Sequence, residues 1–177
     1  MAVQIGAKPD SGFDNPIGML SDCHRRIERF LDVLFQVARH AQGKALDAGE
    51  QAAVESAVRY FRESGPRHNL DEEESLFPRL KDLGAVAVLD EMNRLLSDHA
   101  EAAPLHEEVD ALYAKWIADR ALDEADSARL LAVTGRLVQL YGDHIRVEEE
   151  LVFPCAAGLF DPATVAAMGV EFKARRH

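Results

Sequence analysis

The pattern of apolar and polar residues predicts a chain built almost entirely from amphipathic helices. Apolar side chains recur every three to four positions over four long stretches, as expected when one face of a helix is buried. Strict alternation of apolar and polar residues, the pattern of a half-buried strand, is nearly absent. Capping and turn residues set the predicted helices at 16 to about 43, 47 to 84, 85 to 119, and 123 through 152, with a short fifth beginning at 161–162.

The helix boundaries favour a simple bundle. Pro16 follows a capping side chain, and the sequence 64–66 (Ser-Gly-Pro) should bend the second helix, as Pro104 should kink the third. Helices of this length joined by short turns pack antiparallel to their neighbours. The sequence therefore predicts an all-α, up-down-up-down four-helix bundle with the fifth helix across one end. Residues 14–177 form this single domain, and residues 1–13 form a loose lead-in.

Composition and charge narrow the class of protein. The formal net charge is −11, which disfavours nucleic acid and anionic membranes as partners. No run of residues resembles a signal peptide or a membrane span, and Cys23 and Cys155 are expected to be reduced thiols, so we expect a cytoplasmic protein. The basic cluster at 173–176 is interpreted as a solvated helix end without a function of its own.

A repeated motif is the main chemical signal. Residues 67–78 (RHNLDEEESLFP) and 143–154 (DHIRVEEELVFP) share six of twelve positions: one histidine, three glutamates, a phenylalanine and a proline. Packing alone would conserve the apolar positions best, yet the shared residues are mostly those that bind metals. The repeat therefore points to metal chemistry.

The spacing of the repeat forms two chelating pairs. Residues four apart share one helix face, so His68 with Glu72 and His144 with Glu148 can each grip one metal. One such pair is usually a histidine beside a solvated acidic run, but two copies on alternate helices favour ligands. Apolar neighbours place both pairs partly in the core, where a cation offsets the cost of burying carboxylates. The following glutamates should face solvent, unless one accepts a hydrogen bond from a ligand: Glu73, Glu74, Glu149 and Glu150.

Two more histidines lie at a matching level of the bundle. His24 precedes the apolar residues of the first helix, and His99 lies on the apolar stripe of the third. A lone histidine in such a place is usually a hydrogen-bonded core residue, but the paired motifs favour both as further ligands.

These residues resemble the hemerythrin-like, or HHE cation-binding, domain family over about residues 16–155. The resemblance implies the bundle fold of myohemerythrin and two iron ions, bridged by oxygen or by carboxylates, held by six residues. The implied metal ligands are His24, His68, Glu72, His99, His144 and Glu148. Manganese and zinc are the less favoured metals. For zinc the reason is that structural zinc prefers four closed, thiolate-rich ligands. Ferritin-like di-iron proteins place glutamate before histidine at a spacing of three, so they do not match.

The sequence also departs from the oxygen-carrying hemerythrins. These have a second histidine four residues after the third-helix ligand, where this chain has Ala103, and a different carboxylate spacing on the fourth helix. More coordination positions are therefore open to a small diatomic or peroxide ligand. His106 lies too far along the helix to bind the same centre unless Pro104 distorts it, and Tyr141 is expected to pack by its ring. Glu28 either orients a ligand or pairs at the surface.

Three functions remain open from the sequence. The first is a binding protein whose di-iron centre captures or senses dioxygen, nitric oxide or iron. The second is a di-iron redox enzyme acting on peroxide, as a catalase does. The third is an interaction module that retains the ligands without using them. The absence of a dedicated acid or base outside the ligand set favours binding over turnover, and any protein partner is unknown.

Overall fold

The computed structural model describes residues 10–176, which contain helices and no strands. The long elements are α1 (Pro16–Ala41), α2 (Ala48–Glu63), α5 (Leu89–Asp119) and α6 (Glu124–Val147). Shorter helical segments complete the chain: α3 (Gly65–Leu70), a first π-helical segment (Asp71–Leu76), α4 (Phe77–Asp82), a 3₁₀ turn (Val86–Val88), a second π-helical segment (Glu148–Val152), α7 (Phe153–Leu159) and α8 (Pro162–Ala174). This confirms the predicted all-α class.

The four long helices close into a ring. Helix α1 packs on α2 and α6, and α5 packs on α2 and α6, so consecutive long helices are neighbours. The connections are short, which makes those neighbours antiparallel. The predicted up-down-up-down bundle with a short C-terminal helix is confirmed.

Capping side chains fix the helix starts where the sequence predicted them. Asn15 accepts from the backbone N–H of Gly18 ahead of α1, and Asp47 forms a capping box ahead of α2. Asp123 and Asp161 cap α6 and α8 in the same way. The predicted break in the second helix falls at Ser64, between α2 and α3.

Part of each copy of the repeat is π-helical, which corrects the expectation of a regular α-helical period through it. The N–H of Phe77 bonds to the carbonyl of Glu72, and that of Phe153 bonds to the carbonyl of Glu148, five residues earlier in each case. A proline follows each phenylalanine, and its missing N–H leaves the carbonyl four residues before it without a helical partner. A wider turn accommodates this gap, and such turns are frequent at functional sites.

Two hydrophobic clusters fill the bundle, and a polar layer lies between them. On α1, Leu20 belongs to one cluster and Ile27 to the other, with His24 in between. On α5, Leu95 and Ala102 flank His99 in the same way. The polar layer therefore crosses the bundle at one level, enclosed by apolar packing on both sides.

Helix α8 packs on α1 and on the first π-helical segment, with Met168 and Phe172 fully buried. A side chain at Gly169 would collide with the carbonyl oxygen of Phe13, so glycine permits the chain before α1 to cross α8 closely. Most of the predicted lead-in, residues 1–9, lies outside the described residues. Within residues 10–176, no helix is both long and apolar enough to cross a membrane.

Candidate metal centre

All six predicted ligands lie in the polar layer. They come from α1, from α3 and the π-helical segment after it, from α5, and from α6 and the π-helical segment after it. The residues are at most 6% exposed: His24, His68, Glu72, His99, His144 and Glu148. Their side-chain atoms form two groups in which the nitrogen and oxygen atoms lie within 4.8 Å of one another. One group is His24, His68, Glu72 and Glu148, and the other is Glu72, His99 and His144.

Glu72 links the two groups. Its Oε1 lies 3.1 Å from Nε2 of His68 and 3.8 Å from Nε2 of His24, whereas its Oε2 lies 3.4 Å from Nε2 of His99. The two oxygens of one carboxylate therefore face different histidine sets, so Glu72 belongs to both donor groups.

Glu148 faces both groups as well. Its Oε2 lies 3.1 Å from Nε2 of His24 and 3.2 Å from Nε2 of His144. The Nε2 atoms of His99 and His144 are themselves only 3.2 Å apart. Four helices thus direct imidazole nitrogens and carboxylate oxygens toward a common centre.

Six buried polar atoms of this centre lack hydrogen-bond partners among the described residues. They are both carboxylate oxygens of Glu72, both of Glu148, Nε2 of His24 and Nδ1 of His68. Leaving a buried carboxylate unsatisfied costs several kcal/mol, and proteins rarely accept that cost. Carboxylate oxygens and a free imidazole nitrogen are donors that cations coordinate, so the donor set fits metal binding.

Two of the glutamates predicted to face solvent also contact predicted ligand histidines, whereas the sequence left open such a contact for one of them. Glu149 is exposed, as predicted, and Glu73 is partly buried. Oε1 of Glu149 lies 2.8 Å from Nδ1 of His24, and Oε1 of Glu73 lies 2.7 Å from Nδ1 of His99. Each carboxylate accepts the Nδ1 hydrogen, so in the neutral ring that a metal would bind, the Nε2 lone pair is directed into the centre. The repeat thus supplies one glutamate for the centre and the next one for a histidine on another helix.

Asp98 was not predicted from the sequence. Its Oδ2 lies 3.3 Å from Nδ1 of His144, so a third ligand histidine also has a carboxylate behind it. No repeat or spacing singles out Asp98, because it belongs to the unrepeated α5 and pairs across to α6.

Electrostatics make the centre attractive to positive charge. Burial lowers the pKa of His24, but the facing carboxylates of Glu148, Glu149 and Glu72 outweigh it and hold the pKa well above its usual range. Burial also lowers the pKa of His99, but the carboxylates of Glu72, Glu73 and Glu148 outweigh it and raise this pKa to about 9. Burial raises the pKa of Glu72, yet the surrounding histidines hold it well below its usual range, so Glu72 is a carboxylate.

The C-terminal basic cluster has a structural role, contrary to its interpretation as a solvated helix end. Arg175 and Arg176 both pair with Asp71, which is fully buried and immediately precedes Glu72. Arg175 also donates to Ser75 in the same π-helical segment. Burial raises the pKa of the Asp71 carboxyl, and this effect outweighs the two guanidinium groups, which lower it. In the second copy of the repeat this position is Val147.

A cavity of about 330 Å³ lies beside the centre between α1, α2, α3, α5 and α6. His99 and Ala103 line it, so alanine at this position leaves open space next to a predicted ligand. His106 and Tyr141 also line it, with Nε2 and Oη 3.1 Å apart. Tyr141 therefore has a polar contact as well as ring packing. Neither residue belongs to the two ligand groups, and Glu28 is exposed.

Comparison with known proteins agrees with this geometry. The hemerythrin HHE cation binding domain matches residues 15–156. A protein of Haemophilus influenzae described as uncharacterized is 27% identical over 164 residues, which cover 93% of this chain and 91% of that protein. The family match spans every residue of the two donor groups. The chain therefore belongs to the hemerythrin HHE cation-binding domain family.

Proposed function

We propose that the centre binds two iron ions and that the protein captures or senses dioxygen, nitric oxide or iron through them. The observation that supports this most strongly is the shared carboxylate of Glu72, whose two oxygens face two separate histidine sets. A single ion would leave one set of buried donors unsatisfied. A set of six imidazole and carboxylate donors suits iron better than zinc, because structural zinc sites are closed and rich in thiolate.

The chain's own residues would hold the ions in defined roles. His24 and His68 would bind one ion, His99 and His144 the other, and the two glutamates would span both. Carboxylates at Nδ1 keep His24 and His99 in one tautomer and one orientation. Bound iron would supply redox chemistry and open coordination positions for a small ligand.

Peroxide turnover is the alternative, and the cavity supports it. The cavity gives a path to the His99 side of the centre, and His106 and Tyr141 place groups able to exchange protons along that path. Binding remains the first choice, because burial lowers the pKa of His106 to about 4, so its neutral ring is a weak acid at physiological pH.

Exposure of the iron-loaded protein to each small molecule distinguishes these functions. Binding predicts a stable optical change with dioxygen or nitric oxide and slow consumption of peroxide. Turnover predicts rapid oxygen evolution from hydrogen peroxide that is lost in His68→Ala. An interaction module without active metal predicts neither response, and that result would contradict the proposed function.

The location and partners of the protein are part of the proposal. We place it in the cytoplasm, with a small diatomic or peroxide ligand at the metals and without a nucleic acid or membrane partner. Cell fractionation followed by immunoblotting tests the location.

A further inference from the structure

The cavity beside the centre is much larger than a diatomic ligand requires. Its volume is about 330 Å³, whereas a water molecule in the liquid occupies about 30 Å³. Pockets that bind small organic molecules begin at about 300 Å³. Access of dioxygen or peroxide to the metals therefore does not account for its size.

The inner wall is apolar and aromatic. Leu34, Val58, Phe61, Ala102 and Val109 face the cavity from three helices. The ring of Phe61 stacks on that of His106, with centroids 4.5 Å apart. Such a wall favours a ligand with a hydrocarbon or aromatic body.

One polar pair interrupts this wall. His106 and Tyr141 come from α5 and α6 and meet through Nε2 and Oη. Burial lowers the pKa of His106 to about 4, so its ring is neutral at physiological pH and can donate from one nitrogen and accept at the other. The pair therefore offers hydrogen bonds without a net charge.

The rim disfavours an anionic ligand. Arg62 donates to both carboxylate oxygens of Asp110, at 2.8 and 2.5 Å, which neutralises the basic residue at the rim. Glu107 lies nearby and disfavours anions, as does the net charge of −11. Asn69 adds a neutral amide.

We propose that this cavity binds an uncharged, mainly apolar small molecule with one hydroxyl or carbonyl group, which contacts His106 and Tyr141 beside the metal centre. The inference goes beyond the proposed function, because it concerns a second ligand that does not coordinate iron. It stands on the cavity and its lining, so metal content and cavity binding can succeed or fail separately.

Isothermal titration calorimetry of the metal-loaded protein with benzyl alcohol tests the site. We expect saturable binding of one molecule per chain. Ala103→Phe should abolish this binding by filling the cavity, whereas Ala111→Phe, at an exposed alanine further along α5 and outside the cavity, should not. Absence of saturable binding to the wild type, or full binding to Ala103→Phe, would overturn the proposal.

The polar pair is tested with ethylbenzene, which replaces the hydroxyl of benzyl alcohol by a methyl group. His106→Phe should shift the affinity ratio toward ethylbenzene by about 2- to 10-fold, the value of one net hydrogen bond. An unchanged ratio would show that the pair does not recognise the hydroxyl group. Metal content measured on the same samples keeps the two questions apart: benzyl alcohol binding without stoichiometric iron would reject the di-iron function and leave the cavity site intact.

Discussion

At the scale of single residues, three carboxylates outside the donor groups contact the predicted ligand histidines. Glu149 and Glu73 orient His24 and His99 from behind, and Asp98 does the same for His144. The identity of the second glutamate in both copies of the repeat was a usable sign of this role. Asp98 has no such sign, because its partner lies on another helix.

Replacement of Glu149 by glutamine should weaken metal binding by about 10- to 100-fold, because an amide holds the His24 tautomer less firmly than a carboxylate. Competition with a calibrated chelator measures the change. Glu150→Gln is the matched control, since Glu150 is the next residue and its side chain is 65% exposed. Equal affinities of the two variants would contradict a specific role for Glu149.

At the scale of helical elements, α8 packs on the π-helical segment that contains Glu72. Arg175 and Arg176, which directly follow α8, pair with Asp71, one residue before Glu72. The repeat shows that Asp71 and Val147 occupy matching positions. The ion pairs of Asp71 could not be predicted from it, because the partner arginines lie about a hundred residues away.

Arg175→Ala combined with Arg176→Ala should lower the free energy of unfolding by about 3 kcal/mol, since it leaves a buried carboxylate unpaired. Chemical denaturation measures this, with exposed Lys173→Ala as the control. Addition of Asp71→Val, the residue of the second copy, should restore most of the loss. Failure of this rescue would mean that the arginines act elsewhere.

The same variant predicts a pH dependence. Burial already raises the folded-state pKa of Asp71, and loss of the arginines raises it further. A carboxyl with a raised folded pKa stabilises the fold below its unfolded pKa and loses that contribution as pH rises through the folded value. The deficit of the double variant relative to the wild type should therefore be smaller at pH 5 than at pH 8. A deficit independent of pH would contradict the buried carboxylate as its cause.

At the scale of the whole molecule, the polar layer separates two hydrophobic clusters. Helical periodicity predicted the bundle, and capping residues predicted its helix starts. The repeat predicted four of the side chains that meet in the layer, and the helix positions of His24 and His99 predicted the other two. The sequence did not predict the ion pairs of Asp71 or the cavity, because both depend on contacts between helices rather than on spacing along one. The π-helical turns have a local sign, the Phe-Pro pair in each copy, but that pair is equally compatible with a regular helix that starts anew.

Removal of the metals should lower the melting temperature by about 10 °C while leaving the helical circular dichroism largely unchanged. The buried carboxylates would lose several kcal/mol of compensation, and each kcal/mol corresponds to about 2–4 °C in a domain of this size. Restoration of the ions should reverse the shift. Unfolding on chelation would mean that the hydrophobic clusters do not support the fold by themselves.

The most direct test of the metal centre is elemental analysis of the purified protein beside two glutamate variants. The account predicts two irons per chain in the wild type and in Glu150→Ala, and loss of at least one iron in Glu148→Ala, two residues away. Absence of any stoichiometric metal from the wild type, or equal metal content in all three proteins, would contradict it.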